Sequence, residues 1–298
     1  MAGPRPRDGG APRRRPHLDP LGARRVILPA DLEPPGPEAR TRFEAATAPG
    51  LHSGVPPDEA AILEALAGAE IERMGEVPYG SNAVFLLQLA APDPGAEGQQ
   101  MRAVYKPARG ERPLWDFPAH TLYLREVATY LVDAALELRH VPPTTLRDGP
   151  AGPGSLQLFV HSAHRQPASA EQSALEAQLR DVAMLDVLVN NADRKRSHLM
   201  VTTAMRVAAI DNALSFLPYP RQRTALISLG GTRLPRATRD RLRALAGDAA
   251  RLDALLDRLR RLLSRPEVDA FEHRVRELAA DPVYPVLDDW DGRPFEWW

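Results

Sequence analysis

The sequence contains no cysteine. That excludes disulfides, thiolate metal centres and a cysteine nucleophile, and it suits a reducing compartment. Lysine is almost absent: of 38 basic residues only Lys106 and Lys195 are lysine, and the rest are arginine. Asparagine is nearly as scarce, occurring at Asn82, Asn190, Asn191 and Asn212. Aromatic residues make up 6% against 44% hydrophobic residues in total, so a core of leucine, alanine and valine is expected. The formal charge is −1, which supplies no field drawing the chain to nucleic acid, and no nucleic-acid partner is expected. No apolar run reaches the ~18 residues of a membrane helix, and the basic N-terminus lacks the apolar stretch of a secretory signal. The expected location is cytoplasmic.

Scarcity makes the positions of the survivors informative. Lys195 and three of the four asparagines fall within 185–216, LDVLVNNADRKRSHLMVTTAMRVAAIDNALSF. Lysine is a compact point charge and arginine a planar fork, so a site built for one does not readily take the other. The stretch reads as an apolar helix end, a polar loop closed by Asp193, two short strands, and a second acidic turn at Asp211. Two acidic turns joined by a hairpin can bring two carboxylates to one cleft. Phosphoryl transfer needs such a pair, one to orient the attacking hydroxyl and one to hold Mg²⁺ on the nucleotide phosphates. Each aspartate alone is equally readable as a cap or turn residue.

In chain order, residues 1–57 are rich in proline, arginine, glycine and alanine and read as a disordered basic arm. A folded part is expected from Asp58, which could cap a short helix, DEAAILEALAGAE. The runs NAVFLLQL and MRAVYKP are strand-like, and Tyr79, Gly80, Ser81 and Asn82 form a hairpin tip where small residues let backbone N–H groups approach a phosphate. Ordinary turn chemistry explains the same residues. Lys106 ends the second strand, where it can reach nucleotide phosphates. A helix is expected over about 118–138, carrying Glu126, which could pair with Lys106. VPPTTLRD and SLQLFV complete a five-stranded sheet. The remainder is mainly helical: a long helix delivering 185–216, two leucine-striped helices over 236–263, and one further helix. His161 and His164 have no further ligand at metal spacing and are assigned to a linker surface. Trp290, Trp297 and Trp298 are expected to pin the tail to the body.

Over about residues 70–265 the sequence resembles the phosphatidylinositol 3- and 4-kinase-like branch of the protein-kinase-like fold, and most closely an actinobacterial group within it. Asn191-Ala192-Asp193-Arg194 is similar to the catalytic loop N-x-D-R, and Ile210-Asp211-Asn212 to the metal turn. The resemblance implies an α+β, two-lobed fold: an N-lobe over 58–160 with a small antiparallel sheet and one inserted helix, and a helical C-lobe over 161–298. It implies ATP with Mg or Mn, and an unidentified hydroxyl acceptor that is a lipid, a protein or a small molecule. Asp193 would be the catalytic residue, with Lys195 or Arg194 neutralising charge on the transferred group. Lys106, Glu126, Gly80, Ser81 and Asn82 would grip phosphates, and Gln157, Phe159 and Val160 would form the hinge beside the adenine. Asp211 would hold the metal with His198, which stands where the branch carries asparagine. Ala213 replaces a glycine of the metal turn. A binding module that senses nucleotide without turnover is the alternative.

Overall fold

Alternation of side chains builds the sheet. The computed structural model describes residues 25–26, 37–47, 49–77, 82–90 and 101–295. Strands β1 (Arg25–Val26), β2 (Ile71–Glu76), β3 (Phe85–Leu89), β4 (Met101–Pro107), β5 (Thr144–Gly149) and β6 (Gly152–Leu158) form one antiparallel sheet in the order β1-β2-β3-β4-β6-β5. Successive strand residues face opposite sides. Phe85, Leu87, Leu89, Ala103, Tyr105 and Leu156 therefore gather in one buried cluster. Leu86, Val104 and Lys106 belong to the other side, where Leu86 packs with Val104 and Phe159. Lys106 is in register with Ser155 on β6, and next to it Gly154 leaves no room for a side chain. A Cβ there would sit 2.6 Å from the Lys106 carbonyl oxygen and 2.6 Å from the Tyr105 ring.

Part of the segment expected as an arm is structured. Helix α1 (Pro37–Ala46) lies within it, and Ala46 and Leu51 are buried in the main core. Helix α2 (Pro57–Gly68) starts one residue before Asp58 and is not capped by it. Proline at the first helical position supplies the preset φ that starts the helix. Asp58 lies in the first turn and instead accepts both ends of the Arg139 guanidinium, at 2.7 and 3.1 Å.

Helix α3 (Leu122–Ala135) is shorter than expected and buried along its whole length. It packs against β5 and β6 on one side and against α4 (Ser169–Val189) and α6 (Ala249–Leu259) on the other. Polar residues on such a helix need partners. Arg125 is paired with Glu267 and donates to the Ser215 carbonyl at 2.5 Å, while Asp133 accepts the His140 backbone N–H at 3.1 Å. Beyond α3 lie the hairpin β7 (Leu199–Val201) and β8 (Val207–Ala209), then α5 (Arg236–Gly247), α6 and α7 (Arg265–Ala280). The leucines of α5 and α6 join α3, α4 and α7 in one core. The result is an antiparallel sheet half and a helical half with α3 between them. Among the described residues, no helix is long and apolar enough to cross a membrane.

Candidate active site

The catalytic-loop motif follows the end of α4. Asn190 stops that helix in the left-handed conformation, φ 52°, which asparagine tolerates better than most residues. Its carboxamide donates to the carbonyls of Leu217 (2.9 Å) and Tyr219 (2.7 Å) and accepts the Arg221 N–H (3.0 Å). Neither aspartate nor a longer amide offers that set of short-range donors and acceptor. Asn191 Oδ1 accepts the Asp193 N–H at 2.9 Å and so sets the acidic residue's backbone. These asparagines shape loops.

Arg194 also shapes the loop. Its side chain is fully buried; it bonds both oxygens of buried Asp186, the Ile210 carbonyl (2.7 Å) and Asn212 Oδ1 (2.6 Å). The guanidinium charge is thus matched by Asp186 and its N–H groups are largely taken by fixed partners, which points to a structural role in place of the one expected for Arg194. It ties the Asp193 loop to the Asp211 turn. Asp186 was missed in the sequence, although an aspartate inside AMLDVLV signals a buried carboxylate that requires a cation.

Three charges from separate elements meet near the end of β4. Lys106 Nζ on β4 is paired with Glu126 on α3 and lies 2.9 Å from Asp211 Oδ1. The other Glu126 oxygen accepts the Asn212 N–H at 3.0 Å, so one carboxylate orients both the lysine and the metal-turn backbone. Asp211 itself has φ 56°. Its second oxygen lies 3.3 Å from His198 Nε2. Burial disfavours the Lys106 ammonium, but Asp211 and Glu126 more than offset this and hold its pKa above the ordinary lysine range. The same ammonium keeps Asp211 below the usual carboxylate range against the opposing effect of burial. Burial lowers His198 to about 4, so its imidazole is neutral and able to ligate a metal.

Asp193 is partly buried and paired with Lys195 at 2.7 Å. Burial raises its pKa, Lys195 opposes the rise, and the charge of Asp211 adds to it, so the two acidic turns sense each other through space. A cavity of about 100 Å³ is lined by Asn82, Lys106, Glu111, Glu126 and Asp211. Glu111, which sequence reasoning missed, caps α3 by accepting the Tyr123 N–H at 2.9 Å, and burial pushes its carboxyl up to about 7. Asn82 accepts the Arg112 N–H at 2.9 Å, whereas Tyr79, Gly80 and Ser81 lie outside the described residues. Of the expected hinge, Gln157 is buried and donates to Thr144 Oγ1 at 2.9 Å, which leaves Phe159 as the residue packed with Leu86 and Val104. Val160 follows it, half-buried.

Whether the donors fit a divalent ion is a question of chemistry and number. No group of three or more His, Asp or Glu side chains is arranged to hold a metal among the described residues. Asp211 and His198 provide one carboxylate and one neutral imidazole. Magnesium and manganese sites commonly take one or two protein ligands, with substrate phosphates and water completing the shell. The pair fits that mode and does not fit a metal held by protein alone.

No family model matches the chain. Among solved structures it is similar to the Golgi casein kinase, with a TM-score of 0.50, 17% identity, and coverage of 74% of this chain and 73% of that one. It is also similar to hydra Fam20, solved with sugar, with a TM-score of 0.54, 16% identity, and coverage of 81% and 93%. These likenesses are of fold, and the fold is protein-kinase-like. Over 288 residues the chain is 33% identical to Protein Rv2133c of Mycobacterium tuberculosis, covering 83% of this chain and 98% of that protein. The chain belongs to the same family as Protein Rv2133c.

Proposed function

We propose that the protein is an ATP- and metal-dependent phosphotransferase acting on a hydroxyl acceptor. The observation that carries this reading is Lys106, held by Glu126 and Asp211 in one cleft, with Asp193 within electrostatic reach of Asp211. Lys106 grips the nucleotide phosphates and Glu126 holds it in place. Leu86, Val104 and Phe159, on the same side of the sheet as Lys106, offer an apolar wall for the base. Asp211 and His198 hold Mg²⁺ or Mn²⁺, which when bound neutralises phosphate charge. Asp193, made more basic by burial, orients the acceptor hydroxyl and takes its proton. Lys195, paired with it, is placed to offset charge on the transferred group.

The order of motifs supports a phosphatidylinositol 3- and 4-kinase-like relationship within the kinase-like fold, and it leaves lipid, protein and small-molecule acceptors in play. The measurement is ADP release from ATP with Mg²⁺ or Mn²⁺. Wild type turns over, and Asp211→Asn falls at least about a hundredfold, the scale of losing a principal electrostatic group. Equal rates in the two proteins overturn the proposal.

One observation favours a second reading, a nucleotide sensor without turnover. His198 occupies the position of an oxygen ligand, and magnesium prefers oxygen. For a sensor, ATP with metal raises the melting temperature but no ADP appears, and His198→Asn creates turnover.

A further inference from the structure

The larger cavity lies elsewhere in the helical half. It measures about 610 Å³ and is walled by the C-terminal end of α4, the segment 218–223, α7 and the tail 285–292. That volume suits a metabolite-sized molecule. Three arginines line it, Arg221, Arg223 and Arg274.

Among the described residues, none of the three grips a carboxylate with two nitrogens, as some arginines of this chain do. Arg139, Arg165 and Arg194 each grip a carboxylate with two nitrogens. Arg274 donates Nε to the Leu188 carbonyl at 2.8 Å, and its Nη2 finds no acceptor. Burial lowers its pKa to about 10. Arg223 donates to the Asp291 carbonyl at 3.0 Å and stacks 5.0 Å over Phe295. Arg221 stacks 5.5 Å over Trp115 and makes only a long contact, 3.8 Å, with Asp116. Three carboxylates share the lining: Asp288 caps the N–H groups of Trp290 and Asp291, Glu277 lies 3.1 Å from His273 and acts through space on Arg274, and Asp291 stands beside them on the tail. A buried donor without an acceptor, as Arg274 Nη2 is, is costly, and a phosphate oxygen placed against it relieves that cost. Val187, Ala270, Leu287 and three prolines give the wall an apolar part, which suits a carbon body behind the anionic group.

We propose that this cavity is a binding site for a small phosphomonoester, separate from the Lys106 cleft. Its contents bear on the catalytic loop through Arg223. The Arg223 N–H donates to the Asn191 carbonyl at 2.9 Å, and the Arg194 N–H donates to the Arg223 carbonyl at 3.0 Å. The site does not depend on the phosphotransferase reading.

The test is isothermal titration of phenyl phosphate, inorganic phosphate and phenol, with hydrogen exchange read on the same samples. The Lys106→Met variant is used throughout, so that any phosphate bound in the other cleft is lost. Phenyl phosphate is expected to bind about tenfold more tightly than inorganic phosphate, phenol not measurably, and exchange to slow over 217–224. Arg221→Gln and Arg274→Gln are each expected to weaken binding about tenfold or more. Arg221 guards the result if Arg274→Gln unfolds, because the side chain of Arg221 bonds no backbone carbonyl among the described residues. Equal affinity for the two phosphates identifies free phosphate as the ligand and overturns the ester. Absence of binding in Lys106→Met, or affinity unchanged in Arg221→Gln, overturns the site.

Discussion

Lys106 is asked to do two things, and the two can be separated. Its pairing with Glu126 and Asp211 holds the cleft together before any nucleotide arrives, and its charge is the one a phosphate would meet. Lys106→Met is expected to weaken ATP binding about tenfold or more, measured by titration, since charge-assisted hydrogen bonds contribute roughly 1.5–3 kcal/mol each. Glu111 gives a prediction of opposite kind. Its carboxyl is raised from 4.5 to about 7 by burial. A group whose folded pKa lies above its unfolded value stabilises the fold fully below the unfolded value and loses that contribution as pH rises through the folded one. The stabilisation is therefore complete below about pH 4.5 and gone above about pH 7. In metal-free buffer, Glu111→Gln is expected to flatten the melting temperature between about pH 5 and about pH 8, and to melt higher than wild type at the alkaline end. A parallel decline in both proteins would show that another group is responsible.

Helix α3 sets the spacing between the two halves, and its charges are internal. Arg125 and Glu267 are both nearly inaccessible, with side chains 1% and 6% exposed, and are paired across α3 and α7. Removing one partner leaves the other charge buried, which costs about 3–5 kcal/mol. Arg125→Met is thus expected to lower the denaturation midpoint strongly, and Arg125→Met with Glu267→Met to recover part of the loss, as read by urea unfolding. The tail 285–292 depends on close approach at Gly292. A Cβ there would meet the Asp288 carbonyl oxygen and the Leu287 side chain at 2.6 Å, and the Gly292 carbonyl accepts the Thr224 N–H at 2.9 Å. Gly292→Val is expected to lift the tail from segment 223–224 and to speed hydrogen exchange at Thr224. The tail is held by these backbone bonds and by Arg223 over Phe295. Trp290 is 85% exposed and pins nothing, contrary to expectation, and Trp297 and Trp298 lie outside the described residues.

For the whole molecule, the cleft joins the sheet to the helical half through Lys106, Glu126 and Asp211, so a nucleotide bound there bridges both. Binding to the folded state alone stabilises it by about 2.7 kcal/mol at a hundred times the dissociation constant. ATP with Mg²⁺ or Mn²⁺ is expected to raise the melting temperature of wild type in a single transition and that of Lys106→Met by about half as much or less at the same concentration. A shift of equal size in both would place the nucleotide elsewhere.

The sequence by itself marked most of the elements after residue 57 and their order. β-Branched and aromatic runs between turn residues marked β3, β4, β5 and β6, leucine spacing marked α5 and α6, and the rarity of lysine and asparagine drew attention to Lys106 and to 190–212. These signals are local, because they record which face of one element is buried. Only the tertiary structure decided which charges meet. It committed Arg194 to Asp186 and the backbone, gave Gln157 to Thr144, started α2 at Pro57, brought Ala46 and Leu51 into the core, and buried α3 on every side. Those outcomes depend on desolvation and on partners far apart in the chain, 105 residues for Lys106 and Asp211 and 142 for Arg125 and Glu267. A carboxylate in a sequence does not reveal whether its counter-charge will be a metal, an arginine or water until packing has removed the water.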